Sequence, residues 1–162
     1  MELSAPRQED VDQAVLARHF PDADYADAFT AQATGTPSAR EWATLTLAGG
    51  PELVTKTFGR AVWGGVLGFD LVAPTTPNTL VGWHVITDEP DLFVMATDGH
   101  LMAARMIFAT DGPRLHWTTA LSYHSRRGER IWAVAQHAHR RIAPRVLSRA
   151  ARTLRRSVAQ SG

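Results

Sequence analysis

From Leu80 to Ser125 the sequence alternates with a period of two. Runs at 81–87, 92–97, 100–109 and 114–124 are separated by "DEPD", "DG" and "TDGP". Successive side chains of a strand point to opposite faces, and Asp-Gly pairs supply the positive φ that tight hairpins need. The pattern predicts a four-stranded antiparallel meander, and the rest of the chain must cover at least one of its faces.

Turn chemistry gives that meander a register. Asp98 and Gly99, as the corners of a type I′ turn, set Thr97 against His100, Met95 against Met102 and Phe93 against Ala104. At the next turn Pro113 has no amide to donate, which predicts a four-residue loop over Thr110–Pro113. Phe108 then faces Leu115, Met106 faces Trp117, Ala104 faces Thr119, Met102 faces Leu121 and His100 faces Tyr123. Trp83 is placed across from Met95, because a slip of one residue would turn every side chain over. One face carries Trp83, Met95, Met102, Leu121, Met106 and Trp117, with Thr97, His100 and Tyr123 at its end. The other carries His84, Val94, Ala103, Ala120, Ile86, Leu92, Arg105 and Thr118. The first face is larger and more aromatic, and is the one expected to be covered by a helix.

The long segment 129–157 can provide that helix. Ile131, Val134, Ala135, Ala138 and Ile142 share a stripe about 100° wide. Beyond Pro144 the apolar residues are Val146, Leu147, Ala150, Ala151 and Leu154, with Arg145, Arg149, Arg152 and Arg156 on the opposite, solvated side. The two stripes differ in direction, so a bend or restart is expected at 143–144. Upstream, 8–19 reads as a short helix with Val11, Ala14, Val15 and Arg18 on one side, and 23–31 as an edge-like strand. Ser38 and Glu41 have capping-box spacing, which starts a helix over 39–48 that Gly49 and Gly50 stop. Pro51 suits the first position of a further helix carrying Leu53, Val54, Phe58, Val62, Trp63 and Val66, before "APTTPNT" breaks the chain at 73–79.

Composition adds exclusions. At 162 residues, 44% hydrophobic and 20% charged, the chain can bury one sizeable core, and 1–162 reads as one domain with 1–20 as an N-terminal extension. Cysteine is absent, which removes disulfides, thiolate metal sites and thiol nucleophiles. The first twenty residues have acids where a signal peptide has a basic segment, and no run approaches the roughly 20 apolar residues of a membrane span, so a cytoplasmic location is expected. Residues 126–162 hold ten Arg and one Glu, net +9, against seven basic and fifteen acidic residues, net −8, in 1–125. The basic segment lacks interleaved aromatics and any nucleic-acid module, and reads as a helix docked on the acidic body it complements.

Strand, two helices, meander and long C-terminal helix form an order that resembles the helix-grip fold of the START and Bet v 1-like (SRPBCC) superfamily. More narrowly, "DYADAF" at 24–29, "GWHVI" and "HAHRRIAPRVLSRAAR" resemble an uncharacterised bacterial family of unknown function grouped there, over roughly residues 20–155. The resemblance implies an α+β fold with six or seven strands wrapped on the last helix, whereas the residues give about five to six; "VLGFDLV" at 66–72 is either a further strand or the sheet is abbreviated. It also implies a cavity between sheet and helix that takes an apolar small molecule.

Candidate chemistry follows from the expected face. His100 and Tyr123, opposed with Thr97 alongside, could act as general base and acid or orient a ligand carbonyl, while Asp98 is explained by its turn. Trp83, Met95, Met102, Met106, Trp117, Thr119 and Leu121 would form a deformable lining, and His139 flanks the helix's inner stripe within reach of it. His137 and His139 are two apart on a helix and point away from each other, so no metal site is expected. No cofactor is expected either, since the glycines of "GRAVWGGVLG" lack dinucleotide spacing. Three readings remain open. The first is binding of an apolar or amphipathic small molecule. The second is a cyclase or isomerase using His100 and Tyr123 on a polyketide-like or terpenoid substrate. The third is a non-catalytic protein with a filled core that dimerises through Val94, Ala103, Ile86 and Leu92.

Overall fold

All the period-two runs become strands, and two short segments outside them join the same sheet. The computed structural model describes residues 4–50 and 59–161. In chain order the elements are β1 (Arg7–Glu9), α1 (Gln13–His19), β2 (Tyr25–Gln32), α2 (Ala39–Ala48), a π-helical turn (Ala61–Val66), β3 (Thr79–Leu80), β4 (Trp83–Glu89), β5 (Leu92–Thr97), β6 (Met102–Asp111), β7 (Arg114–Tyr123) and α3 (Arg126–Gln160). The strands make one open antiparallel sheet in the order β1-β2-β7-β6-β5-β4-β3. This is an α+β fold with seven strands where five to six were expected. The extra ones are β1, from the stretch expected to be an extension, and β3; residues 66–72 contribute only the bridge from Phe69 to Gly99. Strand β2 is therefore internal, because β1 pairs along its outer side. Among the described residues no helix is long and apolar enough to cross a membrane.

Local signals that need only neighbouring residues appear as expected. Ser38 Oγ accepts the Glu41 amide at 3.2 Å and Glu41 Oε2 accepts the Ser38 amide at 2.8 Å, which closes the capping box at the start of α2. Residues 8–19 instead divide into β1 and α1, where Asp12 caps the amides of Ala14 and Val15. The first part of the helix expected from Pro51 lies outside the described residues, while Val62, Trp63 and Val66 sit on the π-helical turn.

Up to a bulge in β4, every hairpin of the meander differs from expectation by an even number of residues; from Thr87 to Glu89 the shift is three. Thr97 pairs with Ala104, Met95 with Met106 and Phe93 with Phe108, a shift of four, since the connection spans 98–101. That connection closes against another segment: Asp70 N donates to Asp98 O at 2.8 Å, and Gly99 bridges Phe69. In the second hairpin Phe108 pairs with Trp117, Met106 with Thr119, Ala104 with Leu121 and Met102 with Tyr123, a shift of two. Its loop is only Gly112–Pro113. Gly112 has φ 58 and proline holds φ negative, the sense of a II′ corner, in which the second residue's amide is not required. Val85, not Trp83, faces Met95, and a bulge follows between Val85 and Thr87. Because side chains repeat every two residues, even shifts change partners without changing faces. Trp83, Met95, Met102, Met106, Trp117 and Leu121 all lie buried on the expected side.

Helix α3 covers that side as one uninterrupted helix through Pro144, not as two pieces. Its buried residues are Gly128 and Trp132 near the start and, three turns on along the same side, Ala143, Leu147, Ala150, Ala151 and Leu154. Burial of Ala143 and Leu147 on either side of the proline holds the helix where one backbone bond is lost. The stripe expected before Pro144 is turned partly away from the core, with Val134 75% and Ile142 49% exposed.

The opposite face is covered by the chain's own N-terminal segment. Val15 of α1 borders a cleft shared with Ala28, Ile107 and Thr118 of that face, and the Arg105 guanidinium stacks 5.2 Å from the Phe20 ring centre. Glu9 meets His116 at 2.6 Å and ties β1 down. The patch expected to dimerise is thereby dispersed: Val94 is 1% exposed, Leu92 and Ala103 are half-buried, and Ile86 alone among them is open to solvent.

Candidate functional site

Alternation along β2 sends Tyr25, Asp27 and Phe29 toward α3, opposite Leu121, Thr119 and Trp117 of β7. Asp27 is 2% exposed. A buried carboxylate is costly unless it is paired, and Asp27 uses both oxygens. Oδ2 accepts the Tyr25 hydroxyl at 2.6 Å, and Oδ1 lies 3.2 Å from His139 Nε2 on α3. Burial, followed by the hydrogen bond to Asp27, pushes the Tyr25 phenol above the ordinary tyrosine range. The Arg140 guanidinium stands 5.9 Å from the Tyr25 ring centre and adds positive charge on the same side.

Aromatic rings hold the imidazole in place. Phe29, Trp117 and Trp132 lie 5.9, 5.8 and 5.5 Å from the His139 ring centre. Beyond them opens a cavity of about 300 Å³ between the sheet and α3, within the size range of small-molecule pockets. A second aromatic group, Trp63 and Phe69 edge-on to Trp83 at 5.7 and 5.5 Å, forms the far wall. Met106, Leu67 and Leu121 fill in between, and Ile142 and Ala138 of α3 stand at the solvent side.

The lining is apolar in area but not in what it leaves unpaired. Thr46 and Thr119 hydroxyls, the indole nitrogens of Trp83, Trp117 and Trp132, and Arg149 Nε are buried without a hydrogen-bond partner, and all six residues line this cavity. Buried polar atoms are nearly always paired, and an orphan costs about 1–3 kcal/mol. Indole and guanidinium nitrogens can only donate. The cavity walls therefore hold four unpaired nitrogens that can only donate and two hydroxyls that can donate or accept, each atom covered by its neighbours. Arg149, expected on the solvated side of the last helix, instead lines the cavity, half-buried, with one terminal nitrogen donating to Thr46 O at 3.3 Å.

Of the expected lining, Trp83, Met106, Trp117, Thr119, Leu121 and His139 surround the cavity. Met95, Thr97 and Met102 are packed into the core beside it instead. The pairing of His100 with Tyr123 does not form, since Met102 takes the place across from Tyr123. His100 is exposed in the 98–101 connection, its ring packed on the backbone of Gly68, and Tyr123 is half-buried with its backbone amide on Asp24 at 2.7 Å. Asp98 keeps its turn role and also accepts from His124 Nε2 at 2.7 Å, which holds its carboxyl below the usual range. His137 is exposed, as its spacing from His139 requires. Asp27, Tyr25, Arg149 and Thr46 were not among the expected site residues. The only sequence signal for Asp27 was an acid placed between two aromatics on one face of a strand.

No protein-family model matches the sequence, and no curated relative does. Two solved structures align with the fold. Protein Ms6760 from Mycobacterium smegmatis is 16% identical, with 91% of this chain and 97% of that one covered and a TM-score of 0.47. A protein from Arthrobacter aurescens is 13% identical, with 86% and 90% covered and a TM-score of 0.41.

Proposed function

We propose that this chain is a helix-grip protein of the START and Bet v 1-like kind that binds one amphipathic small molecule bearing an acceptor group, a carboxylate or carbonyl. The unpaired donors around an apolar cavity carry the reading. An apolar ligand alone would leave them orphaned, and water alone would forgo the aromatic walls. Arg149 has no carboxylate partner among the described residues, so an anionic head is the complementary charge. The exposed Ile142 at the solvent side suits a ligand that enters there.

The test is titration with dodecanoate, followed by tryptophan emission, beside native mass spectrometry of the freshly purified protein. Saturable one-to-one binding is expected, with Arg149→Met weakening it about 10- to 100-fold, the worth of a charge-assisted hydrogen bond. Absence of binding, or binding that Arg149→Met leaves unchanged, overturns the reading.

A further inference from the structure

We propose that the cavity is also an enzyme site, in which His139 is the catalytic base for an isomerase-type proton shift on an amphipathic compound with an enolisable carbonyl. The proposal rests on the binding reading above.

Geometry fixes which nitrogen does the work. Ionised Asp27 only accepts hydrogen bonds; Oδ2 is taken by the Tyr25 hydroxyl and Oδ1 faces His139 Nε2. Nε2 must therefore carry a proton, and in the neutral ring Nδ1 is left with a lone pair. Nδ1 makes no hydrogen bond among the described residues, and the ring borders the cavity. Asp27 and Tyr25 do not reach the ligand; they are positioning residues that set the tautomer and stabilise the imidazolium once it forms. A His–Asp unit with one nitrogen bound and the other unpaired, in a ring that borders a ligand space, is the arrangement a general base requires.

The neighbouring orphans supply the other half of the chemistry. Thr119 pairs directly across from Asp27, and Trp117 follows two residues before it on the same face of β7. Their hydroxyl and indole N–H are unpaired in the cavity wall, with the Trp117 ring 5.8 Å from the imidazole, and a substrate carbonyl seated against that wall would take its hydrogen bonds from them as charge develops on its oxygen. In the step, Nδ1 takes the proton from the carbon beside the carbonyl. The C–H pair becomes the enolate double bond, and the oxygen receives the negative charge. Return of the proton to the same carbon, or to a conjugated carbon further along, gives the isomer and regenerates neutral imidazole. Nothing is oxidised or reduced, and no co-reactant is consumed. Arg149 lies ten residues beyond His139, about 15 Å along the helix axis, and its side chain lines the same cavity. The substrate class is therefore an apolar keto compound with its carbonyl near His139 and an acid at the far end.

The probe is γ-benzoylbutyric acid, which has an aryl ketone, an enolisable methylene and a carboxylate. Its binding is read by tryptophan emission, and exchange of the methylene protons in D2O by proton NMR. The wild-type protein is expected to bind the probe and to accelerate exchange at saturation by at least about 100-fold over His139→Gln, which still binds. Asp27→Asn is expected to slow exchange and displace its pH profile while leaving probe affinity within a few-fold. Nitrogen NMR of the wild-type imidazole, which needs no variant to fold, is expected to report the Nε2–H tautomer. Binding without exchange above that of His139→Gln, or an Nδ1–H tautomer, overturns the proposal while sparing the binding reading. Failure of the probe to bind overturns this substrate class together with the anionic-head reading.

Discussion

Ala104→Leu tests whether the space between the sheet and α3 is real. Ala104 lies on the helix-facing side of β6, between Thr97 and Leu121 in the register, and borders the cavity. Leucine adds three carbons, and about 0.8 kcal/mol for each buried methylene gives an upper bound near 2.4 kcal/mol. Fixing the leucine rotamer removes about 0.5–1 kcal/mol of that. A net stabilisation of about 1–2 kcal/mol is expected, because about 300 Å³ of space is available to receive the side chain. For a chain of this length that is a rise in Tm of roughly 2–8 °C. The assay is thermal unfolding by circular dichroism on protein stripped of any copurified ligand by unfolding and refolding, with dodecanoate titrated in parallel. The variant should be more stable and bind more weakly, since the added carbons occupy the ligand's place. Were the site already filled, overpacking would cost about 1–3 kcal/mol. A lower Tm with unchanged binding would refute the cavity.

Two further outcomes follow from the same geometry. A Cβ added at Gly99 would stand 1.9 Å from the Gly68 carbonyl oxygen, whereas one at Gly65 would meet nothing within 4 Å. Gly99→Ala is expected to destabilise the fold by about 2 kcal/mol or more and Gly65→Ala to be near neutral, as read by urea unfolding. Tyr25 and Tyr123, which are both of the chain's tyrosines, have phenols raised above the ordinary range, burial being the first cause in each. A raised phenol contributes stability that is complete below the unfolded value of about 10 and is lost as pH climbs toward the folded value. Urea midpoints should therefore fall above about pH 10, with a shallower fall in Tyr25→Phe. An equally steep decline in that variant would show that another group is responsible.

Sequence by itself determined which face the meander residues occupy, except beyond the bulge at Val85–Thr87, where the face of Thr87–Glu89 is reversed. Parity survives any even slip, so Trp83, Met106, Trp117 and Leu121 fell on the ligand side although none kept its expected partner. It also determined the α2 start, because a capping box involves residues only three apart. Tertiary structure decided the rest. The 98–101 connection is set by a backbone contact with Phe69 and Asp70, which local turn preference does not contain, and that contact drew His100 out of the cavity. The helix stripe chosen by counting apolar residues passed over Trp132 and put His139 only at its edge, within reach of the cavity, since a histidine reads as polar until the carboxylate that holds it is known. That carboxylate, Asp27, is 112 positions away in the chain. Arg149 likewise read as solvated because its neighbours on the helix are arginines, and only the packing of α2 against α3 gave it Thr46 and a buried side. Alternation and capping are short-range and can be read along a strand or a turn. A buried ion pair or an unpaired donor is a relation between distant segments, and exists only once the sheet and helix have closed on each other.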